Sequence, residues 1–137
     1  MNQYSKTSQK RLESCHKDLQ LVFNTVLETY DHAITYGHRT EEQQMEMFEN
    51  KLSKLAWPLS KHNKIPSEAI DAAPWPIQWN NTKRFYHFAG YVLGVAERLQ
   101  AEGKISHAIR WGGDWDSDND LDDQIFMDLV HFELVPL

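Results

Sequence analysis

The chain has 137 residues, of which 41% are hydrophobic and 25% charged, and its formal net charge is −6. This composition is typical of one soluble globular domain, and the negative charge argues against nucleic acid or an anionic membrane surface as the main partner. No apolar run is long enough to span a membrane, no apolar signal segment follows Met1, and the single cysteine, Cys15, excludes an internal disulfide.

The first part of the chain predicts two helices with a short strand between them. Apolar residues recur at three- and four-residue steps over residues 8–30, which predicts one amphipathic helix with Cys15 on its buried face. Residues 34–36 alternate between apolar and polar and predict a strand. Thr40 and Gln43 have the form of a capping box, so a second helix is expected to begin there and run to about residue 55.

The second part predicts three strands and one long helix. Residues 69–73 form an apolar stretch that Pro74 stops, and Asn81 can cap a helix that ends before Gly103. Strands are expected at residues 107–111 and 130–135, on either side of an acidic loop. The sequence therefore predicts an α+β fold in which a small antiparallel sheet is covered by helices.

Two stretches far apart in the sequence supply the side chains of a catalytic zinc site. His62 lies in a turn-rich loop nine residues before Asp71, and Asp128 precedes His131 by three residues. A catalytic zinc takes three protein ligands from histidines and carboxylates and needs another carboxylate to move protons. We therefore predict His62, Asp71 and His131 as the ligands and Asp128 as the general base.

Alternation along the strands favours this assignment. In the last strand it places His131 and Glu133 on one face, opposite a core face that carries Val130, Phe132 and Leu134. Asp71 likewise faces away from the side on which Ile70 is buried. Glu133 is then either a support for His131 or a solvent-facing acid, and both interpretations stay open.

Three blocks occur in a fixed order: Ser60-Lys61-His62, Ala69-Ile70-Asp71 and Asp128-x-x-His131-Phe132-Glu133-Leu134. In these blocks the chain resembles the zinc peptidases that include the D-Ala-D-Ala carboxypeptidases and dipeptidases and the Hedgehog-type fold. It most resembles the small phage endolysins that act as L-alanyl-D-glutamate endopeptidases. They share two further blocks, Tyr36-Gly37-His38-Arg39-Thr40 and Trp111-Gly112-Gly113-Asp114-Trp115, so that the resemblance covers residues 36–134.

The resemblance implies zinc bound by the three predicted ligands, Asp128 as base and Arg39 as the group that polarises the scissile carbonyl. Arg39 could instead pair only with a surface acid such as Glu41 or Glu42. Ser60 and Gln43 are candidates for substrate contact, although Ser60 is also explained as a loop hydroxyl and Gln43 as part of the capping box.

The function implied is hydrolysis of the L-Ala–D-Glu bond in the stem peptide of bacterial peptidoglycan. We expect one zinc peptidase domain over residues 1–137 without a separate wall-binding domain. We also expect a monomer made in the host bacterial cytoplasm that acts on the cell wall after release at lysis. The alternatives are a D,D-carboxypeptidase or D-Ala-D-Ala dipeptidase with the same zinc site, and a zinc-stabilised binding domain without catalysis.

An acidic loop follows the predicted strand at residues 107–111, with six aspartates within residues 114–123. Asn119 stands where an EF-hand loop has glycine, and Ile125 stands where it has a bidentate glutamate. Some endolysins resembling this chain carry a calcium-responsive loop here, so a calcium site and a solvated acidic loop both remain open. The candidate calcium ligands, at positions 1, 3, 5 and 7 of such a loop, are Asp114, Asp116, Asp118 and Asp120.

Overall fold

The structure is a computed structural model that describes residues 2–122 and 127–137. Its elements, in chain order, are α1 (Lys6–Glu13), α2 (Lys17–Leu27), β1 (His32–Tyr36), α3 (Glu41–Glu49), a 3-10 turn (Lys61–Asn63), β2 (Ala69–Pro74), α4 (Thr82–Ala101), β3 (Ala108–Gly112) and β4 (Asp128–Val135). The four strands form one antiparallel sheet in the order β1-β2-β4-β3. The predicted α+β class is confirmed. Within the described part of the chain, no helix combines the length and the apolar character that crossing a bilayer requires.

The prediction of one helix over residues 8–30 is wrong, because the helical conformation is interrupted between α1 and α2. Ser14 ends α1, and His16 begins α2 by accepting a hydrogen bond from the backbone N–H of Asp18 at its Nδ1 atom (3.0 Å). Cys15 is buried as expected, but it lies between the two helices, where its backbone forms an isolated β-bridge with Ser67. The apolar period continues across the break because both helices face the same core, so the sequence pattern does not reveal it.

The end of α3 also differs from the prediction. The capping box of Thr40 and Gln43 is present, but the helix stops at Glu49, whereas the sequence predicted an end near residue 55. Lys51 follows with a φ of 61°, a left-handed conformation that terminates a helix. The other predicted strands and α4 agree with the structure to within two residues at each end.

The core lies between the sheet and the helices α2 and α4. Phe23 of α2, Phe88 of α4 and Phe132 of β4 pack edge to face, with ring centroids 5.4 Å (Phe23–Phe132) and 6.1 Å (Phe88–Phe132) apart. The opposite face of the sheet carries polar cross-strand pairs, in which Asp71 stands opposite His131 and Arg110 opposite Glu133. Direct neighbours across antiparallel strands share a face, so the register alone brings these four side chains together.

A bulge in β4 decides where Asp128 points. Trp111 pairs with Phe132, but the next residue of β3, Gly112, pairs with Asp128, so three residues of β4 are accommodated between these two pairs. Strict alternation would turn Asp128 toward the core with Phe132, whereas the bulge lets it line the same cleft as His131. Val130 lines this cleft too, so its predicted place on the core face is wrong for the same reason. Gly112 permits the close approach, because a Cβ atom there would lie 2.1 Å from the Asp128 carbonyl oxygen.

Candidate active site

A cleft of about 790 Å³ opens on the polar face of the sheet. Its lining comes from the 3-10 turn and the loop before it and from residues of β1, β2, β3 and β4. The cleft brings together six of the predicted site residues from four separate stretches of chain: Arg39, Ser60, His62, Asp71, Asp128 and His131.

His62 is held by its backbone and by one ring nitrogen. The Ser60 hydroxyl caps the 3-10 turn by accepting from the His62 N–H (3.2 Å). The Nδ1 atom of the ring lies 2.7 Å from the Gly37 carbonyl oxygen, which can only accept, so Nδ1 carries the proton. The Nε2 atom is therefore unprotonated in the neutral ring, and it lies 3.1 Å from Asp71 Oδ1.

His131 is held in the same way with the nitrogens exchanged. Its Nε2 atom lies 2.7 Å from Glu133 Oε1, and its Nδ1 atom lies 3.3 Å from Asp71 Oδ1. The indole of Trp115 covers the ring, with centroids 5.4 Å apart. Glu133 is buried, so of the two interpretations left open, the support for His131 is the one that the structure favours.

These three side chains can hold a metal ion. One ligand atom from each of His62, Asp71 and His131 lies within 4.8 Å of the others, and all three residues are buried. Two imidazole lone pairs and a carboxylate oxygen repel one another unless a proton or a cation lies between them. The donor set therefore fits a divalent cation.

The charges of the site reflect the same crowding. Burial lowers the pKa of His131, but hydrogen bonds to Asp71 and Glu133 outweigh it and raise the pKa to about 9. Burial raises the pKa of Asp71, yet the charges and hydrogen bonds of His62 and His131 hold it well below its ordinary value. The site thus keeps Asp71 ionised and attracts positive charge to the point where the three residues meet.

Arg39 pairs with Asp71 and not with the surface acids Glu41 or Glu42. Its Nη2 atom donates to Asp71 Oδ2 (2.9 Å), which leaves Oδ1 directed toward the two histidines. The guanidinium lies over the ring of Tyr36, 4.4 Å from its centroid, and its Nε atom is buried with no hydrogen-bond partner among the described residues. Arg39 is therefore fixed beside the carboxylate and retains one unused donor.

Asp128 lies at the start of β4, half-buried in the cleft wall. Burial and the neighbouring charge of Asp71 raise its pKa, and the positive charges of His131 and Arg39 oppose this shift only in part. A carboxylate with a raised pKa is a better proton acceptor than an ordinary one, so its environment suits a general base.

The two predicted substrate contacts lie in different places. Ser60 is buried in the cleft wall, where its hydroxyl caps the turn that carries His62. Gln43 is exposed and outside the cleft lining, and its side chain accepts a hydrogen bond from the Thr40 N–H (2.9 Å), so the structure gives it the capping role and does not support substrate contact. The neighbouring Gln44 instead contacts a site residue, because its Oε1 atom accepts a hydrogen bond from Arg39 Nη1 (3.4 Å).

Sequence reasoning missed three further cleft residues, Lys61, Arg110 and Trp115. Arg110 donates to Glu133 Oε2 (2.6 Å), and Lys61 lies 3.6 Å from the same oxygen. Alternation in the strand at residues 107–111 could have placed Arg110 on the polar face. Its pairing with Glu133 depends on the register between two strands, which no local pattern carries.

The acidic loop brings together three of the four predicted calcium ligands. One carboxylate oxygen from each of Asp114, Asp116 and Asp118 lies within 4.8 Å of the others, whereas Asp120 is not part of this group. Asp114 accepts the backbone N–H groups of residues 118 and 119, and burial, together with the neighbouring Asp116 and Asp118, raises its pKa. Ile125 lies outside the described residues, and calcium binding stays a prediction.

Comparison with known proteins agrees with the geometry. Residues 1–135 match the family described as "Phage L-alanyl-D-glutamate peptidase". The L-alanyl-D-glutamate peptidase of Escherichia phage T5 is 33% identical over 141 residues, which cover 96% of this chain and 97% of the T5 protein. The crystal structure of the L-Ala D-Glu endopeptidase ChiX of Serratia marcescens has the same fold, with a TM-score of 0.72 at 21% identity over 98% of this chain and 91% of ChiX. The chain therefore belongs to the phage L-alanyl-D-glutamate peptidase family.

Proposed function

We propose that this protein is a zinc peptidase that hydrolyses the L-Ala–D-Glu bond in the stem peptides of bacterial peptidoglycan. The observation that carries the proposal is the convergence of His62 Nε2, His131 Nδ1 and Asp71 Oδ1 beside Asp128 in one cleft. Family membership supplies the class of bond.

Zinc is the ion that fits this donor set best. Two imidazoles and one carboxylate are a ligand set of catalytic zinc sites, in which a fourth position stays open. Gly37 and Glu133 hold the outer nitrogens of the two histidines, as expected for metal-bound histidines whose tautomer is fixed from outside. Bound zinc supplies Lewis acidity, which polarises a carbonyl group and acidifies water.

The residues of the chain supply the rest of the chemistry. Asp128, which lies beside the metal site in the same cleft, accepts a proton from the attacking water and passes it to the leaving amine of D-Glu. The guanidinium of Arg39 contributes positive charge toward the oxygen of the scissile carbonyl. Ser60 acts through the backbone, since its hydroxyl fixes the turn that presents His62.

The setting of the reaction follows from the same family. We propose a phage lysin that is made in the host cytoplasm and reaches the cell wall after release at lysis. The cleft lies open at the surface beside exposed apolar side chains such as Leu59 and Trp79, so an extended peptide can enter it.

Digestion of purified peptidoglycan, followed by mass spectrometry of the products, tests the proposal. New amino termini at D-Glu are expected, whereas release of free D-Ala would instead indicate a D,D-carboxypeptidase. Metal analysis of the purified protein should give close to one zinc per chain. His62→Ala, Asp71→Ala and His131→Ala should each lose the zinc, because two ligands make a poor site. His87→Ala is a matched control, since His87 is exposed on α4 outside the cleft.

A further inference from the structure

A second positively charged group lines the cleft beside the candidate metal site. Arg110 of β3 and Lys61 of the 3-10 turn both approach Glu133 Oε2, at 2.6 and 3.6 Å. Glu133 in turn holds His131 through its other oxygen, Oε1, at 2.7 Å. The guanidinium is therefore separated from a predicted metal ligand by a single carboxylate.

Arg110 has capacity left for a ligand. Its side chain is 37% exposed, whereas that of Glu133 is 9% exposed. Glu133 accepts from the Nη2 atom of Arg110, and the Nε atom is buried without a partner among the described residues, so the donors left for a ligand are those of Nη1 and the second hydrogen of Nη2. The pairing with Glu133 and the indole of Trp115, 5.8 Å from the guanidinium carbon, fix the orientation of the group. A fixed guanidinium with unused donors is well suited to bind a carboxylate.

The charge balance of the cleft differs from that of the whole chain. Around the candidate metal site, the described lining residues include equal numbers of cationic side chains and carboxylates, although the chain carries a net charge of −6. The cations are Arg39, Lys61 and Arg110, and the carboxylates are Asp71, Asp128 and Glu133. A divalent cation held by His62, Asp71 and His131 would make this part of the cleft positive, which favours an anionic substrate.

The proposed substrate carries a matching negative charge. A glutamyl residue has two carboxyl groups, and the peptide chain can continue through only one of them. The D-Glu residue whose nitrogen belongs to the scissile bond therefore keeps one free carboxylate close to the reacting atoms. A cation close to the metal site is where this carboxylate can be recognised.

We propose that Arg110, with Lys61 beside it, binds the free carboxylate of this D-Glu residue and sets the specificity for glutamate after the scissile bond. This inference rests on the proposed function. It differs from a positioning role, in which Arg110 would act only through Glu133 on His131. A positioning role changes the turnover of every substrate alike, whereas carboxylate recognition changes only the preference between substrates.

Two synthetic peptides test the proposal with the zinc-loaded protein. Both contain the L-Ala–D-Glu bond, and they differ only in that the free carboxyl of D-Glu is an amide in the second peptide. The wild-type protein should have a kcat/KM higher for the acid than for the amide by on the order of 10- to 100-fold. Arg110→Gln should bring the two values to within about threefold of each other by slowing cleavage of the acid. Arg98→Gln, which removes a 78% exposed arginine on α4, should keep the wild-type ratio.

Several results would overturn the inference. Equal cleavage of both peptides by the wild type would exclude recognition of the carboxylate. An unchanged ratio in Arg110→Gln, with both rates reduced, would show that Arg110 acts only through Glu133. If the Gln variant does not fold, Arg110→Met keeps most of the length and the apolar stem of the side chain but has neither charge nor hydrogen-bond donor, so an unchanged ratio there would count equally against the proposal. Failure of the wild type to cut either peptide at this bond would instead overturn the proposed function itself, and this inference with it.

Discussion

The imidazoles of His62 and His131 are each held at one nitrogen, by the Gly37 carbonyl oxygen and by the Glu133 carboxylate. Each ring therefore presents its other nitrogen to Asp71 without having to reorient when a metal binds. Such preorganisation lowers the entropic cost of binding the ion and excludes the wrong tautomer. At the residue scale, metal binding therefore depends on the groups that orient the two histidines as well as on the ligands themselves.

Asp128→Asn tests the proton acceptor. The amide has nearly the same shape but cannot accept the proton, so we expect kcat/KM to fall by about 10²-fold or more while zinc content and melting temperature stay unchanged. Hydrolysis of a synthetic stem peptide, metal analysis and thermal unfolding measure the three quantities. Near-normal turnover would mean that another group accepts the proton.

Arg39 allows a sharper test, because charge and geometry can be separated. The guanidinium donates to Asp71 and retains an unused Nε donor, and a lysine keeps the charge but not this arrangement of donors. We expect Arg39→Lys to reduce kcat nearly as much as Arg39→Ala in steady-state kinetics. Recovery of most of the activity in the Lys variant would reduce the role of Arg39 to charge alone.

At the scale of elements, the bulge in β4 depends on Gly112. An added Cβ would meet the carbonyl oxygen and carbon of Asp128 at 2.1 and 3.0 Å, and backbone atoms cannot move aside as a side chain can. Gly112→Ala should therefore displace Asp128 and reduce kcat by on the order of 10²-fold, since a misplacement of about 1 Å can have that effect. Gly94→Ala on α4, where a Cβ meets nothing within 4 Å, is the control and should keep full activity. Equal activity of the two variants would mean that the bulge does not position the base.

The acidic loop precedes β4 in the chain, and we predict that calcium binds the loop and thereby stabilises the segment that carries Asp128 and His131. Millimolar calcium should shift the backbone NMR signals of residues 114–131 and raise lytic activity, because a divalent cation relieves the repulsion between crowded carboxylates. Asp116→Asn and Asp118→Asn should weaken the response, whereas Asp120→Asn, outside the group of three carboxylates, should change it less. A spectrum and a rate that calcium leaves unchanged would identify the loop as a solvated acidic surface.

At the scale of the whole molecule, a buried histidine makes stability depend on pH. His32 donates from Nδ1 to the Tyr30 carbonyl oxygen (2.8 Å), and its Nε2 atom lies 2.5 Å from the Tyr4 hydroxyl, whose single hydrogen is shared between this nitrogen and the Phe23 carbonyl oxygen (3.0 Å). Both contacts suit the neutral ring, and burial lowers the pKa of His32 to about 4, against an ordinary value of 6.5. Between pH 6.5 and about pH 4, His32 is therefore protonated in the unfolded chain but neutral in the folded protein.

Stability from His32 is thus complete above pH 6.5 and is lost as the pH falls toward 4. We expect this residue to account for a loss of about 2 to 3 kcal/mol in the free energy of unfolding between about pH 7 and 4.5. Urea denaturation at both pH values measures it, and His32→Gln should show a correspondingly smaller difference. His87→Gln removes an exposed histidine and should keep the wild-type pH dependence. If His32→Gln also kept the wild-type pH dependence, the buried ring of His32 would not be the cause of the loss of stability at low pH.

The sequence determined by itself those features that depend on local chemistry. The capping box at Thr40, the cap at Asn81 and the strand around Asp71 follow from neighbouring residues, and the structure has all three. His62, Asp71, Asp128 and His131 could be selected because few side chains bind zinc or move protons, and the structure brings them into one cleft. The break at Cys15 escaped prediction, because an apolar period continues across two helices that face the same core.

Only the tertiary structure decided which distant residues support the site. Glu133 meets Arg110 and Lys61 because of strand register and the path of a loop, and neither leaves a local pattern in the sequence. Alternation would have turned Asp128 toward the core, and it is the bulge against Gly112 that brings it to the face of His131. Side-chain chemistry is carried by each residue, whereas position in a sheet is set by pairing between strands far apart in the chain. The chemistry that each residue can offer could therefore be predicted from the sequence, but its partners could not.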